Sequence, residues 1–205
     1  MAGLTRKRIL DCAVAMADRD GLDAVTLRRI AADLGVHVTS LYNHVETRDA
    51  ITDGIVDVLL DQAHLPVTPV DWEEWVRTFF AAMSDLATRH PGAFAALSRR
   101  PVQGARAAAS FEVAMAAFAR AGLSAGDAYS AVKAAVFATL GVGAERSMSA
   151  RDELPETVME DLPLESFPQF HALQDHDPTL AWSFSLETLV AGLRAQIAER
   201  ASAGG

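Results

Sequence analysis

"TLRRIAADLGVHVTSLYNHVETRDAI", residues 26–51, decides the fold of this 205-residue chain. The first half places four apolar side chains on one face of a helix: Leu27, Ile30, Ala31 and Leu34. Gly35 can end that helix, because glycine accepts the left-handed backbone of a helix C-terminus. A second helix of about two turns is expected from near Thr39, and it buries only Leu41 and Val45. The stretch therefore predicts a helix, a tight turn and a short polar helix.

The short helix carries more polar side chains than a core-forming helix needs, namely Thr39, Ser40, Tyr42, Asn43 and His44. A helix of this kind fits the major groove of DNA, where side chains meet phosphates and base edges. Asn43 suits an adenine edge, Val38 a thymine methyl group, and Arg28 of the preceding helix a guanine. The predicted contacts to double-stranded DNA are Arg6, Lys7, Thr26, Arg28, Val38, Thr39, Ser40, Tyr42, Asn43, His44 and Arg48.

Charge is distributed unevenly along the chain. Residues 1–48 hold seven Lys/Arg and six Asp/Glu, a net charge of +1. Since the whole chain carries −9, the remainder carries −9 minus +1, or −10. The acidic total argues against indiscriminate binding of polyanions. A nearly neutral N-terminal part with basic residues at 6–8 can still approach an anion that repels the acidic remainder.

Helical periodicity continues through the rest of the chain, and no alternating strand pattern interrupts it. Thr5 and Thr26 are the predicted N-caps of the first and second helices, and Gly21 ends the first. A fourth helix is predicted to start near Thr47 or Arg48. Later helices are predicted over about 71–89, 103–121 and 125–148, and from Asp177–Pro178 onward. Residues 149–168 have weak periodicity and are predicted to form a loop. The predicted fold class is all-α.

Several protein classes are disfavoured by what the sequence contains. A single cysteine, Cys12, excludes a disulfide within the chain and cysteine-rich zinc sites, and its spacing suits the core. The first residues have no apolar signal-peptide core. The longest uncharged apolar stretch, Ala134 to Ala144, is shorter than the roughly 20 residues that span a bilayer. We expect a cytoplasmic protein without a membrane partner.

No catalytic or metal-binding constellation stands out. His171 and His176 are five residues apart, whereas two ligands on one helix face are four apart. No nucleophile has a base at a recognisable spacing, and no glycine-rich loop suits a nucleotide phosphate. We therefore predict no enzyme activity, no metal and no cofactor.

Residues 5–60 resemble the DNA-binding domain of the tetracycline-repressor (TetR) family. The motif over 26–51 carries the likeness through its glycine turn, the "LY.HV" pattern at 41–45 and the basic position that follows. Residues 122–145 and 184–193 resemble the C-terminal domain of tetracycline repressors. The resemblance implies a helix-turn-helix domain over 1–48, a connecting fourth helix over about 48–63, and a ligand-binding and dimerisation domain over 64–205.

The same resemblance implies a homodimer in which two C-terminal helices of each chain form a four-helix bundle. The residues offered for this interface are Ala131, Ala134, Ala135, Ala138, Gly141, Leu186, Leu189 and Leu193. Small side chains let helices approach closely, which is consistent with an interface. A stripe of small residues packs equally well inside one chain, so both interpretations stay open.

An effector site is also implied by the resemblance. His64 stands where tetracycline repressors have a drug-contacting histidine, and Glu145 stands where they have an acid beside the drug-bound magnesium. Ala96 and Phe79 replace a magnesium-binding histidine and a drug-contacting asparagine, which argues against tetracycline. The apolar residues Phe79, Met83, Phe94 and Phe137 favour an amphipathic or aromatic small molecule, although phenylalanine and methionine at helical spacing also suit a core.

The sequence predicts a homodimeric repressor that binds a palindromic operator and is released by a small-molecule effector. Its half-site centres are expected about one helical turn, ~34–36 Å, apart. Three alternatives remain: a transcriptional activator, a ligand-binding helical protein whose N-terminal domain does not bind DNA, and an enzyme with an all-α pocket.

Overall fold

The computed structural model describes residues 3–99, 104–150, 166 and 180–203, and these residues form helices and no strand. A 3-10 helix, Leu22–Ala24, follows the first α-helix. The α-helices are α1 (Arg6–Asp20), α2 (Leu27–Leu34), α3 (Val38–Leu41), α4 (Arg48–Gln62), α5 (Trp72–Arg89), α6 (Ala96–Arg99), α7 (Ala105–Arg120), α8 (Ala125–Ala150) and α9 (Leu180–Ala203). The all-α prediction is confirmed. None of the described helices is long and apolar enough to cross a membrane.

Short polar side chains cap five of the described helices, and they include the predicted N-caps of α1 and α2. The side-chain oxygens that accept a first-turn backbone N–H, at 2.8–3.3 Å, belong to Thr5, Thr26, Thr47, Asp71 and Ser124. Gly21 and Gly35 end α1 and α2 with φ of 86° and 66°. Each cap satisfies an N–H or carbonyl group that the helix itself leaves unpaired.

Two helix lengths differ from the prediction. Helix α3 is a single turn, Val38–Leu41, rather than about two turns. The N–H groups of His44 and Val45 then bond to the carbonyl of Leu41 at 2.8 and 2.9 Å and close a turn. With so few apolar side chains to bury, this segment gains little from a longer helix. Helix α8 instead continues to Ala150, into the beginning of the predicted loop.

Other predictions fall on parts of the chain that the structure does not describe. These are most of the predicted loop 149–168, the Asp177–Pro178 helix start, and His171 and His176.

Two clusters of buried side chains hold the helices together. The first spans α1–α4 and continues into α5 and α6, so Ile55 and Leu86, both fully buried, share one core. The second joins α5 to α7, α8 and α9 around Trp75 and Phe118. Phe79 packs against both clusters. The N-terminal helices are thus packed continuously onto the larger C-terminal part through α4, α5 and α6.

Gly143 of α8 leaves room for the ring of Phe94, which is 2% exposed. A Cβ at Gly143 would lie 2.5 Å from Cζ of Phe94. We expect Gly143→Ala to lower the free energy of unfolding by about 1–3 kcal/mol, because a packed ring must move. Urea unfolding followed by circular dichroism measures the change.

The matched control for this substitution is Gly126→Ala, near the start of α8. The nearest atom to a Cβ at Gly126 is 4.0 Å away, so we expect no loss of stability there. Wild-type stability of the Gly143→Ala protein would show that the Phe94 ring is not fixed by this contact.

Candidate nucleic-acid interface and effector-binding domain

The turn between α2 and α3 is built around Gly35. Its φ of 66° and ψ of 35° are left-handed, a conformation that glycine adopts at little cost. The N–H of Gly35 bonds to the carbonyl of Ala32 at 3.1 Å, and that of Val36 to Ala31 at 3.0 Å. The chain reverses in this turn, and α3 packs beside α2.

Helix α3 and the turn after it are held by two buried anchors. Leu41 and Val45 are 0% and 2% exposed and pack in the first cluster. Thr39, which precedes Leu41, is exposed, and so are Asn43 and His44, which lie between Leu41 and Val45. Tyr42 is also exposed, by 50%, although its ring is large and mostly apolar. The segment therefore presents a polar and aromatic surface to the solvent.

The remaining predicted contacts of this segment are less exposed. Val38 and Ser40 are half-buried at the edge of the same surface. Thr26 is half-buried as well, and its hydroxyl caps α2. Helix α3 and the turn after it, residues 38–45, are called the α3 segment, and its residues lie close together because they follow one another along the chain.

The basic members of the predicted contact set, Arg6, Lys7, Arg28 and Arg48, are all exposed at the surface. Lys7 Nζ lies 2.7 Å from Asp11 Oδ2, and Arg48 Nη2 lies 3.5 Å from Asp23 Oδ1. Ion pairs between exposed side chains contribute little free energy, so a phosphate can compete for either cation.

Ion pairs that fix the N-terminal helices were not found from the sequence. Arg19 binds Asp20 at 3.0 Å and Asp33 of α2 at 3.3 Å. Arg29 of α2 also binds Asp20. Hydrogen bonds from Arg19, and then from Arg29, hold the pKa of Asp20 below its usual range. Arg29 therefore ties α2 to α1, whereas Arg28 beside it faces outward. In the sequence, the opposite charges near the ends of both helices were the only signal that could have predicted these ion pairs.

A second missed contact joins the N-terminal helices to α6. Arg99 Nη1 lies 2.7 Å from Asp23 Oδ1, and its hydrogen bond holds the pKa of Asp23 below the usual range. Asp23 thus binds one arginine from α6 and, at longer distance, Arg48 from α4. Asp23 and Arg99 are 76 residues apart in sequence, and no periodic pattern signals such a pair.

The predicted effector residues divide between interior and surface. Met83 and Phe94 are each 2% exposed, inside the first cluster. Phe79 is half-buried and stacks on Trp75, with ring centroids 4.9 Å apart. Phe137 is 63% exposed on α8, so it does not share their interior.

The two polar residues of the predicted effector set, His64 after α4 and Glu145 of α8, are both exposed, and Ala96 is fully buried. An open groove of about 510 Å³ occurs elsewhere, at the start of α5. Its lining is Asp71, Trp72, Glu73, Glu74, Arg77 and Thr78, none of which belongs to the predicted effector set.

The predicted interface residues also divide. Ala131, Ala135 and Leu193 are buried within this chain's own second cluster, at 6%, 0% and 9% exposure. Leu186 and Leu189 pack against the same cluster, and Ala138 does so as a half-buried residue. Ala134 and Gly141 are exposed.

An exposed stripe runs along each of α8 and α9 with the three-and-four spacing of a helix face. Its members are Ser130, Ala134, Phe137, Gly141 and Met148 on α8, with Phe184, Thr188, Ala191, Ala195 and Ala198 on α9. Of these residues, the sequence predicts only Ala134 and Gly141 for an interface, and it predicts Phe137 for the effector set. Phe137 and Phe184 are 63% and 74% exposed. The two helices are in contact, and exposed large apolar side chains on adjacent helices are consistent with a surface that binds another molecule.

A helix-turn-helix that packs through α4 onto a larger helical part is the architecture of a class of DNA-binding transcriptional regulators. The chain belongs to the TetR family of bacterial regulators. A family profile described as "Bacterial regulatory proteins, tetR family" matches residues 9–53, and one described as "Tetracyclin repressor-like, C-terminal domain" matches residues 65–197. The predicted resemblance to this family is confirmed. Because the family consists of transcriptional regulators, its membership favours the predicted regulator over the enzyme alternative.

Relatives with assigned names agree with this membership. An HTH-type transcriptional regulator of Saccharopolyspora erythraea is 36% identical over 152 residues, which cover 73% of this chain and 64% of the relative. The class D tetracycline repressor of Escherichia coli is 26% identical over 203 residues, 96% of this chain and 92% of the repressor.

Solved structures show the same fold over nearly the whole chain. Apo ActR from Streptomyces coelicolor has a TM-score of 0.78 and 28% identity, covering 97% of this chain and 99% of ActR. ActR in complex with actinorhodin has a TM-score of 0.79 and 25% identity, covering 96% and 99%.

Proposed function

We propose that this regulator is a homodimeric repressor that acts in the cytoplasm and binds a palindromic operator. The exposed surface of the α3 segment carries the proposal. Tyr42 is 50% exposed although the fully buried Leu41 precedes it, so the fold holds this ring outward at a fixed position. Binding of DNA by this surface explains why so few side chains of the α3 segment are buried in the core.

The proposed contacts follow the chemistry of each side chain. Arg28 reaches a guanine edge, and Asn43 an adenine edge, in the major groove. Tyr42, His44 and Arg48 bind phosphate oxygens and fix the register of the helix, as Arg6 and Lys7 do on the flanking backbone. Thr26, Val38, Thr39 and Ser40 complete the surface near the groove.

The exposed stripe of α8 and α9 is the proposed dimer interface. A two-fold axis would pair each stripe with its copy, since such an interface uses the same surface on both chains. Of the residues first predicted for the interface, Ala134 and Gly141 belong to this stripe, and Phe137 and Phe184 are added to them. Pairing places two DNA-binding domains, residues 1–48 of each chain, on one face of the operator, about one helical turn apart.

The proposed effector is a planar aromatic molecule with polar edges, bound by residues 64–205. Phe79 stacks on Trp75 between the two clusters, and Met83 and Phe94 lie in the adjoining core. His64 and Glu145 supply polar groups at the surface. ActR, which shares the fold, has been crystallised with actinorhodin and with (S)-DNPA. Ala96 and Phe79 lack the polar groups that tetracycline with magnesium requires.

Effector binding is proposed to act on DNA affinity through α4. This helix contributes to the core of the N-terminal helices and ends beside His64. An effector that favours a different position of α4 changes the spacing of the two α3 surfaces. The loss of DNA affinity then equals the effector's differential affinity for the two arrangements.

A reporter assay tests repression and release together. The operator is placed between a promoter and a reporter gene, and the chain is co-expressed. We expect reporter expression to fall, and to recover with actinorhodin but not with tetracycline and magnesium. If co-expression of the chain raises reporter expression, the chain is an activator instead. Recovery with tetracycline and magnesium but not with actinorhodin would contradict the apolar effector site.

A further inference from the structure

Asp23, in the 3-10 helix between α1 and α2, is shared by two arginines from different parts of the chain. Arg99 of α6 holds both carboxylate oxygens, since its Nη1 lies 2.7 Å from Oδ1 and its Nη2 lies 3.3 Å from Oδ2. Arg48, the first residue of α4, is farther away: its Nη2 lies 3.5 Å from Oδ1 and 3.4 Å from the backbone carbonyl oxygen of Asp23. The carboxylate therefore binds Arg99 more closely than Arg48.

The charge on Asp23 responds to the two arginines in the same order. The hydrogen bond and the charge of Arg99 do most to hold the pKa of Asp23 below its usual range, and the charge of Arg48 contributes least. A guanidinium that donates two parallel N–H groups to one carboxylate makes a stronger contact than a single charged hydrogen bond. Arg99 is thus the main counter-charge of Asp23.

The packing of α6 and of the turn before it determines where Arg99 lies. Asp18 of α1 contacts this turn twice: Oδ2 lies 2.8 Å from Nδ1 of His90, and Oδ1 accepts the backbone N–H of Ala93 at 2.9 Å. Ala96, at the start of α6, is fully buried in the first cluster. The fold itself therefore brings Arg99 beside Asp23, and the ion pair does not have to position α6 alone.

The charge balance around Asp23 matters for Arg48, which the proposed function places at a DNA phosphate. The Asp23 side chain is 77% exposed, so an unpaired carboxylate there would repel the phosphate and compete for the Arg48 guanidinium. While Arg99 is bound, its charge cancels that of Asp23, and Arg48 keeps a positive charge for the phosphate. Without the charge of Arg99, Asp23 and Arg48 cancel each other instead.

We infer that Arg99 is a positioning residue for DNA binding, because it neutralises Asp23 and so leaves Arg48 free to bind a phosphate. The effector-binding domain thereby supplies one positive charge to a surface that the DNA-binding domain presents. Arg99 acts through Asp23 and does not itself contact the DNA. The inference rests on the proposed function, since it requires Arg48 to lie at a phosphate.

Titration of a labelled duplex with the full chain over a range of salt concentrations tests the inference. The duplex carries the palindrome that the wild type selects from a random pool. For Arg99→Gln we expect Kd to rise about two- to fivefold, the range of an exposed ion pair. We also expect the slope of log K against log salt to become shallower by about 0.9, the value of one phosphate contact.

Two control variants separate the charge of Arg99 from other effects. Arg106→Gln removes an exposed positive charge from α7 and should keep the Kd and the slope of the wild type. Arg99→Lys keeps the charge beside Asp23 and should keep the wild-type slope. The inference is overturned if Arg99→Gln matches Arg106→Gln in both quantities, or if Arg99→Lys loses as much of the slope as Arg99→Gln does.

Asp23→Asn distinguishes positioning from a direct contact between Arg99 and the DNA. In this variant no carboxylate competes for Arg48, so adding Arg99→Gln should change neither Kd nor the slope. If the second substitution still costs as much affinity as it does in the wild type, Arg99 contacts the DNA directly and its role through Asp23 is overturned.

The wild type and the stability of the variants complete the experiment. Because the side chains of Arg99 and Asp23 are 50% and 77% exposed, we expect their substitution to leave the midpoint of urea unfolding nearly unchanged. A wild type that binds the palindrome while Arg99→Gln keeps its slope would overturn this inference alone. A wild type that binds no duplex even at low salt would overturn the proposed function, and this inference with it.

Discussion

Phe184→Asp is expected to convert the dimer into monomers and to reduce operator affinity about 100- to 10,000-fold. Phe184 is 74% exposed near the start of α9, and it is the largest side chain that α9 contributes to the proposed interface. A carboxylate there must be buried without a partner on dimerisation, and its copy in the second chain repels it. A monomer then loses the advantage of engaging two half-sites together. Analytical ultracentrifugation and duplex titration measure the two effects.

Ala108→Asp is the matched control for the interface. It adds the same charge at an exposed position of α7, away from the stripe. We expect that protein to remain dimeric and to bind the operator as the wild type does. A Phe184→Asp protein that sediments as a dimer would exclude this part of α9 from the interface.

Arg28→Ala is expected to weaken operator binding about 5- to 150-fold, or about 1–3 kcal/mol, the discrimination carried by a bidentate contact to guanine. Arg28 is exposed in the first turn of α2, while Arg29 is held by Asp20. The substitution should therefore leave the free energy of unfolding unchanged. Fluorescence anisotropy with a labelled duplex measures the affinity.

Arg106→Ala controls for the loss of one positive charge. Arg106 is exposed on α7, outside the DNA-binding domain. We expect its operator affinity to equal that of the wild type at the same salt concentration. If Arg28→Ala binds every duplex as tightly as Arg106→Ala does, α2 does not reach the bases.

Local signals in the sequence predict most of the helices of this fold. Thr5, Thr26 and Thr47 cap helices because a short hydroxyl side chain reaches the N–H groups of the first turn. Gly35 ends α2 because few other residues accept its φ. These causes act within a few residues, so a single sequence contains them. The predicted length of α3 was too long, because tertiary packing and not a local signal determines where so short a helix ends.

The side of a helix that meets a partner is harder to predict. Helix α8 has small or apolar residues on most of its circumference, so Ala134 and Ala135 are equivalent by composition. In the structure Ala135 is fully buried and Ala134 is exposed. Only the positions of α5, α7 and α9 distinguish them, and those follow from the whole fold.

Contacts between distant parts of the chain were not predictable at all. Asp18 and His90 are 72 residues apart, and Asp23 and Arg99 are 76 apart. Each of these residues also suits an ordinary helix end or surface position. Their pairing depends on how α1 packs against α5 and α6, which no periodic pattern encodes.

Selection from a random duplex pool with the purified chain, at near-physiological salt, tests DNA reading by the α3 segment most directly. We predict enrichment of one palindrome whose half-site centres are about one helical turn apart, and its loss with Tyr42→Ala at unchanged stability. If the wild type enriches no sequence even at low salt, where phosphate contacts are strongest, residues 35–50 do not read DNA and the proposed function is wrong.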